Sequence, residues 1–267
     1  MDAVGIELTE LTIGGHAMAY LPALARVGAV LAVAPPFAAV AVPVRVRALI
    51  AMALTVGLLP AVTSAHASSQ SLGAFAVGVA SEVLIGLAMG MSLALVFTAA
   101  QWAGELVAQQ MGLDLSEIYD PRSGGGKASS LGHLYWLLAV VVFMGANGHH
   151  ALLRGVAASF DAVPVMTLAH GEPIVALMTG LLQSATGLAI QLAAPVFVTM
   201  LVVDLALGMV GRTVPQLGMM TAGVTVRSIT GLVVLIAGMA LTAAVVQGAT
   251  GNWMQVVQSS FNGLAGR

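Results

Sequence analysis

The sequence contains no cysteine and very few charged residues. Only 7% of its 267 residues are charged and 59% are hydrophobic, whereas an ordinary soluble domain carries about 25% charged residues. The absence of cysteine excludes disulfides and thiolate metal sites. The net charge of -2 is too small to indicate nucleic acid or an anionic surface as a partner. These shortages exclude an ordinary soluble fold and favour an integral membrane protein.

Charge is missing from five long stretches of the chain. Each stretch reaches or exceeds the roughly 20 residues that a helix needs to cross the hydrocarbon of a bilayer. The acidic amino terminus lacks the positive region of a secretory signal, so we expect the first hydrophobic segment to belong to the mature protein. The stretches lie between Arg47 and Glu82, Glu82 and Glu105, Lys127 and Arg154, Glu172 and Asp204, and Arg227 and Arg267.

Hydropathy and turn residues predict an all-helical membrane protein with about six hydrophobic blocks. Strands are disfavoured because the alternating ten-residue pattern of an outer-membrane barrel is missing. The third block is too long for one simple crossing, so we expect it to continue beyond the hydrocarbon or to bend back. Prolines in or beside the blocks predict kinked or broken helices. The blocks are Leu11 to Val42, Ala48 to Val62, Leu72 to Met111, Leu131 to Leu153, Pro173 to Val203 and Ser228 to Val246.

Basic residues are concentrated in the connections that follow the first, third and fifth hydrophobic blocks. If each block crosses once, the positive-inside rule places both termini on the periplasmic side. These three connections contain Arg45 and Arg47, Arg122 and Lys127, and Arg212 and Arg227, respectively.

The third block contains a stripe of small residues with one carboxylate in it. Gly78, Glu82, Gly86 and Gly90 follow one another at four-residue spacing, which places them on one side of a helix. Small residues allow helices to approach closely in lipid, and an intramembrane carboxylate needs a partner. The pattern predicts either helix packing within the subunit or an interface with another subunit.

A second polar stripe follows on the same block. Gln101, Glu105 and Gln109 are each four residues apart, and polar groups facing lipid cost a few kcal/mol each. We therefore expect this stripe to meet protein or water. Structural hydrogen bonding is favoured over a proton relay, because no further acidic or histidine partners can be assigned.

The loop after the third block superficially resembles a phosphate-binding loop. It does not fit the Walker A pattern, because Ala128 occupies the position of the magnesium-binding Ser or Thr. Its composition predicts either a plain connection, which is favoured, or a gate element. The loop contains Asp114, Asp120, Pro121, Gly124, Gly125, Gly126 and Lys127.

Enzyme and metal sites are not indicated. His149 and His150 are the only histidines close together, and adjacent residues project about 100° apart on a helix. They are therefore expected at a helix end or at the membrane interface. No catalytic set, paired catalytic carboxylates or cofactor fingerprint is recognisable, so the sequence predicts no catalytic activity, no cofactor and no metal.

An ordered set of residues resembles the FliR family, the flagellar counterpart of the T component of injectisome export gates. The resemblance covers nearly the whole chain. It rests on Arg26, Pro36 and Phe37, Val42 to Arg45, Glu82, Gly86, Gly104 and Glu105, Gln110 to Gly112, Asp120 and Pro121, Phe143, Asn147 to His149, Ser159 and Phe160, Pro164, Pro195, Asp204, Leu207 and Gly208, and Pro215 to Leu217.

The resemblance implies a subunit of the flagellar type III export gate in the bacterial inner membrane, within the flagellar basal body. FliP-like and FliQ-like subunits would form the pore with it, FlhB-like and FlhA-like components would act beside it, and unfolded flagellar proteins would pass through. It also implies a P-like part over about residues 1–160, followed by a part over about 161–267 that includes a Q-like hairpin.

Two functional segments follow from the same resemblance. A plug loop maps onto about residues 113–130. A hydrophobic constriction maps onto Met209, Leu217, Met219 and Met220, whose flexible apolar side chains would seal a pore yet yield to a passing chain.

The alternative to an export-gate subunit is a secondary transporter of a small molecule, favoured by Glu82, Glu105, Asp204 and the broken helices.

Overall fold

The structure is a computed structural model that describes residues 20–35, 37–38, 42–58, 72–113, 129–166, 171–213 and 219–265. Within residues 171–178, 219–222 and 254–265 only the backbone is described. These parts of the chain form helices and contain no strand, as the sequence predicts. The helices are α1 (Tyr20–Val33), α2 (Val44–Leu58), α3 (Leu72–Met111), α4 (Ser130–Gly145), α5 (Gly148–Ala162), α6 (Gly171–Thr213) and α7 (Met219–Ala265).

The third hydrophobic block is a single helix with the predicted bounds. Helix α3 has 40 residues and is about 60 Å long at 1.5 Å per residue, roughly twice the 30 Å thickness of the hydrocarbon. It does not bend back, so one of the two expectations for this block is wrong. The other, an extension beyond the hydrocarbon, agrees with its length.

The fourth block forms two helices instead of one. Helices α4 and α5 meet at an angle of 71°. Asn147 lies between them in the left-handed conformation with φ 56°, a conformation that a continuing right-handed helix cannot contain. The bend therefore follows from the Ala146-Asn147-Gly148 sequence, which the hydropathy pattern alone did not separate from the block.

Helices α3, α6 and α7 contain segments long and apolar enough to cross a membrane, and the bent pair α4 and α5 makes a fourth candidate if it counts as one span. The described parts of α1 and α2, with 14 and 15 residues, are shorter than such a span. The described residues thus offer three or four candidate spans. The six crossings and the orientation based on them remain predictions.

The chain divides into two compact units. Unit 1 comprises Met1–Ala94, Asn147–Leu181 and Gly251–Arg267, and unit 2 comprises Leu95–Ala146 and Leu182–Thr250. Helices α3, α6 and α7 each contribute residues to both units. The predicted boundary near residue 160 remains a proposal.

Each unit has its own apolar core. In unit 1, Trp253 of α7 is buried, and its indole N–H donates to the Ser92 hydroxyl of α3 at 2.8 Å. In unit 2, the buried Phe97 of α3 and Phe143 of α4 pack edge to face with ring centroids 5.4 Å apart. Aromatic pairs prefer this geometry, so α3 is fixed against a different helix in each unit.

Candidate functional sites

The core of unit 1 contains a fully buried ion pair. Arg26 on α1 donates from Nε to the Glu82 carboxylate on α3 at 2.6 Å, and both side chains have an exposed fraction of zero. Removing one partner of such a pair leaves an uncompensated buried charge and typically costs 3–5 kcal/mol. The pair therefore fixes α1 against α3 at this depth.

Arg26 also binds the carboxyl-terminal end of α5. Its Nη1 donates to the Ser159 carbonyl at 2.9 Å and to the Ser159 hydroxyl at 3.2 Å, and its Nη2 donates to the Val163 carbonyl at 3.0 Å. The guanidinium carbon lies 4.5 Å from the centre of the Phe160 ring. A cation at a helix carboxyl terminus satisfies free carbonyls and interacts favourably with the helix dipole. One arginine thus joins three helices.

Glu82 holds the segment that follows α5. Its second carboxylate oxygen accepts from the backbone N–H of Met166 at 2.8 Å. Met166 has φ 69°, a conformation that costs a residue with a side chain about 1–3 kcal/mol. Its side chain lies against Gly78, where a Cβ would be 2.5 Å from the Met166 Cε. The carboxylate therefore holds the Met166 backbone, and the glycine leaves room for the end of the Met166 side chain.

The remaining glycines of the predicted stripe seat α1. A Cβ on Gly86 would collide with the Arg26 carbonyl and lie 2.8 Å from the Ala29 Cβ. A Cβ on Gly90 would lie 2.8 Å from the Val30 carbonyl oxygen. In the structure this stripe therefore packs against the chain's own α1. Its use as a subunit interface remains a proposal for whatever surface the packing leaves free.

Only two of the three residues of the second polar stripe contact each other in the structure. The Gln101 side chain donates to the Glu105 carboxylate at 2.9 Å, and Glu105 lies against Gly132 in the first turn of α4. Gly104 packs close to the Leu131 carbonyl. Gln109, by contrast, is exposed. Gln101 and Glu105 thus act at the contact with α4, and Gln109 does not join them.

The carboxyl-terminal end of α3 is held by α7 within unit 2. The Ser228 hydroxyl lies 2.9 Å from the Val224 carbonyl of its own helix and 3.1 Å from the Met111 carbonyl, and its single proton is shared between these two acceptors. The Met111 carbonyl is at a position where helix carbonyls lack a helical partner. The Met111 side chain occupies the space beside Gly231, together with the Met200 side chain of α6. Sequence reasoning missed Ser228, because nothing in the pattern connects it to a residue 117 positions away.

A second ion pair joins α6 to α7. Arg227 and Asp204 are 2.7 Å apart, and each side chain is 40% exposed. Large apolar residues with more than half of their surface exposed surround this pair in sequence. They are Val198, Leu201, Val202, Leu205, Met209, Ile229, Leu232, Val233 and Ile236.

Most of the predicted plug and constriction lies outside the described residues. This applies to Asp114, Asp120, Pro121, Gly124, Gly125, Gly126 and Lys127, and to Leu217. Met219 and Met220 lie in the first turn of α7, where only the backbone is described. Met209 lies near the end of α6 and is 73% exposed.

No group of three or more His, Asp or Glu residues that could hold a metal ion occurs in the described part of the chain. His149 and His150 lie in the first turn of α5, with ring centroids 4.2 Å apart. The predicted position at a helix end is therefore observed.

The two ion pairs bring together residues that the sequence marked only singly. Arg26 entered only through the family resemblance, although it is an isolated charge in an apolar block, as is Glu82. Two isolated opposite charges in apolar blocks are a signal for a pair, since each alone is costly in lipid. The backbone acceptors at Ser159 and Val163 give no such signal.

Comparison with known proteins assigns the chain to a family. Residues 17–253 match the family described as "Bacterial export proteins, family 1". The flagellar biosynthetic protein FliR of Bacillus subtilis is 30% identical over 169 residues, 62% of this chain and 65% of that protein. FliR of Caulobacter vibrioides is 32% identical over 199 residues, 73% of this chain and 79% of that protein.

FliR of Escherichia coli K12 is 30% identical over 228 residues. That match covers 84% of this chain and 85% of the Escherichia coli protein, whereas the match to the Bacillus subtilis protein spans slightly less than two thirds of that relative's length. With a family match over most of its length and apolar helices long enough to cross a bilayer, the chain is a membrane protein that belongs to the FliR family of bacterial export proteins.

Proposed function

We propose that this chain is a non-enzymatic subunit of the flagellar type III export gate in the bacterial inner membrane. In this assignment it assembles with FliP-like and FliQ-like subunits into the pore through which unfolded flagellar proteins leave the cytoplasm, next to FlhB-like and FlhA-like components. The family membership supports the assignment to protein export. The surface of α6 and α7 supports assembly with partners.

The observation that carries assembly is the half-exposed ion pair between Asp204 and Arg227. Each side chain is 40% exposed and lies in helices whose neighbouring surface is apolar. Charged groups inside membranes almost always face protein or water instead of lipid. Because the chain itself leaves this pair half uncovered, a partner subunit or the water of a pore is the natural cover.

The test of assembly is co-expression of a tagged copy with the P-like and Q-like subunits from the same host. We expect a complex that survives affinity purification and size-exclusion chromatography. A chain that stays monomeric while P-like and Q-like subunits associate with each other would contradict the proposal.

The pore proposals concern the loop over residues 113–130 and the methionine-rich segment that follows α6. By family resemblance, the loop helps to close the resting pore and the segment forms a constriction. The high exposure of Met209 agrees with a position facing a partner or a pore. Deletion of residues 123–127 should raise ion leakage of the assembled complex, and unchanged leakage would leave the loop as a plain connection.

The transporter alternative is not favoured. Glu82 is fully occupied by Arg26 and the Met166 N–H, Glu105 accepts from Gln101, and Asp204 pairs with Arg227. A transporter needs polar groups that converge on a substrate and a coupling ion. Here each carboxylate that suggested a transporter is bonded to a different partner in the chain. An absence of solute flux in reconstituted vesicles would agree with this view.

A further inference from the structure

Helix α2 combines two arginines with an apolar surface that the described part of the chain does not cover. Arg45 and Arg47 lie in its first four residues, and its first turn contains no acidic residue. Only Ala51 and Thr55 are buried. The exposed large apolar residues of the helix are Val44, Val46, Leu49, Met52 and Val56.

The length and charge distribution of α2 indicate where it would lie in a membrane. Its 15 residues span about 22 Å, which is less than the roughly 30 Å of the hydrocarbon. Both charges are at the amino-terminal end, and the rest of the helix is uncharged. Such a helix lies with its charged end among the headgroups and its apolar body among the acyl chains.

Neither arginine has an acidic partner in the described part of the chain, where the two ion pairs use Arg26 and Arg227. The Arg47 Nε is buried without an acceptor, and its Nη2 reaches only the Val42 carbonyl at 3.4 Å. The amino terminus of a helix carries a partial positive charge, which disfavours cations there. An anion bound by the exposed Arg45 and the half-buried Arg47 would relieve this repulsion.

The spacing of the two arginines determines how many anions they can hold. Residues two apart on a helix point about 200° apart, so the two guanidinium groups emerge on opposite sides of the helix. Arg45 is exposed and Arg47 is half-buried, which agrees with different surroundings. Side chains on a helix lean towards its amino terminus, so both groups reach the same end.

We propose that the amino-terminal end of α2 binds acidic phospholipid, with one phosphate on Arg45 and another on Arg47. A guanidinium group offers two parallel N–H donors that match phosphate oxygens. The acyl chains cover the exposed apolar surface that begins immediately beyond the arginines. The net charge of -2 for the whole chain does not oppose this, because the attraction is local and falls off within a Debye length.

The test is native mass spectrometry of the purified full-length chain in a neutral detergent. Phosphatidylglycerol and phosphatidylcholine of the same acyl length are added in equal amounts. The variants are Arg45→Gln, Arg47→Gln and the double variant. The matched control is Arg154→Gln combined with Arg212→Gln, which removes two exposed arginines from other helices and changes the net charge equally.

We expect the wild-type chain to retain about two more molecules of phosphatidylglycerol than of phosphatidylcholine, one for each guanidinium group. Each single variant should lose about one, the double variant should lose the preference, and the control should keep it. Arg45→Lys with Arg47→Lys preserves charge without the paired donors, so it should retain an intermediate amount. Circular dichroism verifies that each variant remains helical.

Three outcomes of the comparison between lipids and variants would overturn the proposal. They are equal retention of both lipids by the wild-type chain, an unchanged preference in the double variant, and an equal loss in the control. An excess of inorganic phosphate distinguishes the source of the anion. Lipid that remains bound supports the lipid site, whereas lipid displaced by free phosphate shows that the arginines bind phosphate without help from acyl chains and overturns the lipid assignment.

Discussion

Replacement of Arg26 and Glu82, singly and together, measures how much this buried pair contributes to the stability of unit 1. The variants are Arg26→Met, Glu82→Met and the double variant, because methionine fills a similar volume without charge. Arg154→Met is the control, since it removes an exposed arginine from α5, the helix whose end Arg26 binds.

The structure sets the expected magnitudes. Each single change leaves one ion buried without its partner, for which we expect a loss of about 3–5 kcal/mol in the free energy of unfolding. If the two losses were independent, the double variant would lose about 6–10 kcal/mol. The double variant, however, contains no buried charge.

The double variant still loses polar bonds. It leaves the Met166 N–H without the carboxylate and the Val163 carbonyl without the guanidinium, as the contacts at 2.8 and 3.0 Å show. An unsatisfied buried group costs about 1–3 kcal/mol. We therefore expect a total loss of about 2–6 kcal/mol, clearly below the sum of the single variants. The exposed control should change stability by less than about 1 kcal/mol.

The assay is reversible denaturation of the purified chain in mixed micelles, followed by circular dichroism and by the fluorescence of its three tryptophans. Trp253 is buried in unit 1 and reports on that unit. Single variants within about 1 kcal/mol of the wild type, or a double variant equal to the sum of the singles, would refute the reasoning from a buried and coupled pair.

Three further predictions concern other contacts. Gly86→Ala places a Cβ against the Arg26 carbonyl and should lower the free energy of unfolding by about 1–3 kcal/mol, measured by thermal or chemical denaturation. The control Gly28→Ala on α1 meets nothing within 4 Å and should be neutral or stabilise the protein by up to about 1 kcal/mol. Equal effects of the two variants would contradict the packing argument. Asp204→Asn and Arg227→Gln should each change the stability of the isolated chain by less than about 1 kcal/mol, because the pair is half exposed. Both variants should nevertheless reduce co-purification with partner subunits. Undiminished recovery of the complex would contradict the proposal that a partner covers this pair. Ser228→Ala removes a hydroxyl that lies within hydrogen-bond distance of the Val224 and Met111 carbonyls and should lower stability by about 0.5–1.5 kcal/mol. Faster hydrogen exchange at the end of α3 would show that the contact with Met111 contributes, and unchanged exchange there would contradict it.

Much of the fold could be predicted because apolar length and composition constrain membrane helices strongly. The bounds of α3 were predicted without error, since long uncharged runs in lipid must form helices. The bend at Asn147 was missed, because a single left-handed residue does not alter hydropathy. The number of crossings remains a prediction, since hydropathy counts apolar blocks and the described parts of α1 and α2, with 14 and 15 residues, are shorter than a span.

The candidate site residues, like the fold, could be predicted only in part. Glu82, Gly86 and Gly90 were recognised as a face needing a close partner, but periodicity alone left open whether that partner was another helix of the chain or another subunit. Gln101 and Glu105 were grouped with Gln109, which the structure leaves exposed. A four-residue spacing puts side chains on one side of a helix, yet the neighbouring helix covers only part of that side.

By itself the sequence determined that this protein is a helical membrane protein and indicated its family, because composition and the order of motifs do not depend on which helices touch. Only the tertiary structure decided that Arg26 pairs with Glu82, that Arg26 binds the end of α5, and that Glu82 holds Met166. The two charges are 56 residues apart and their further partners are more than 80 residues away. Backbone carbonyls and amides carry no sequence signature, so contacts with them become visible only when the helices are packed.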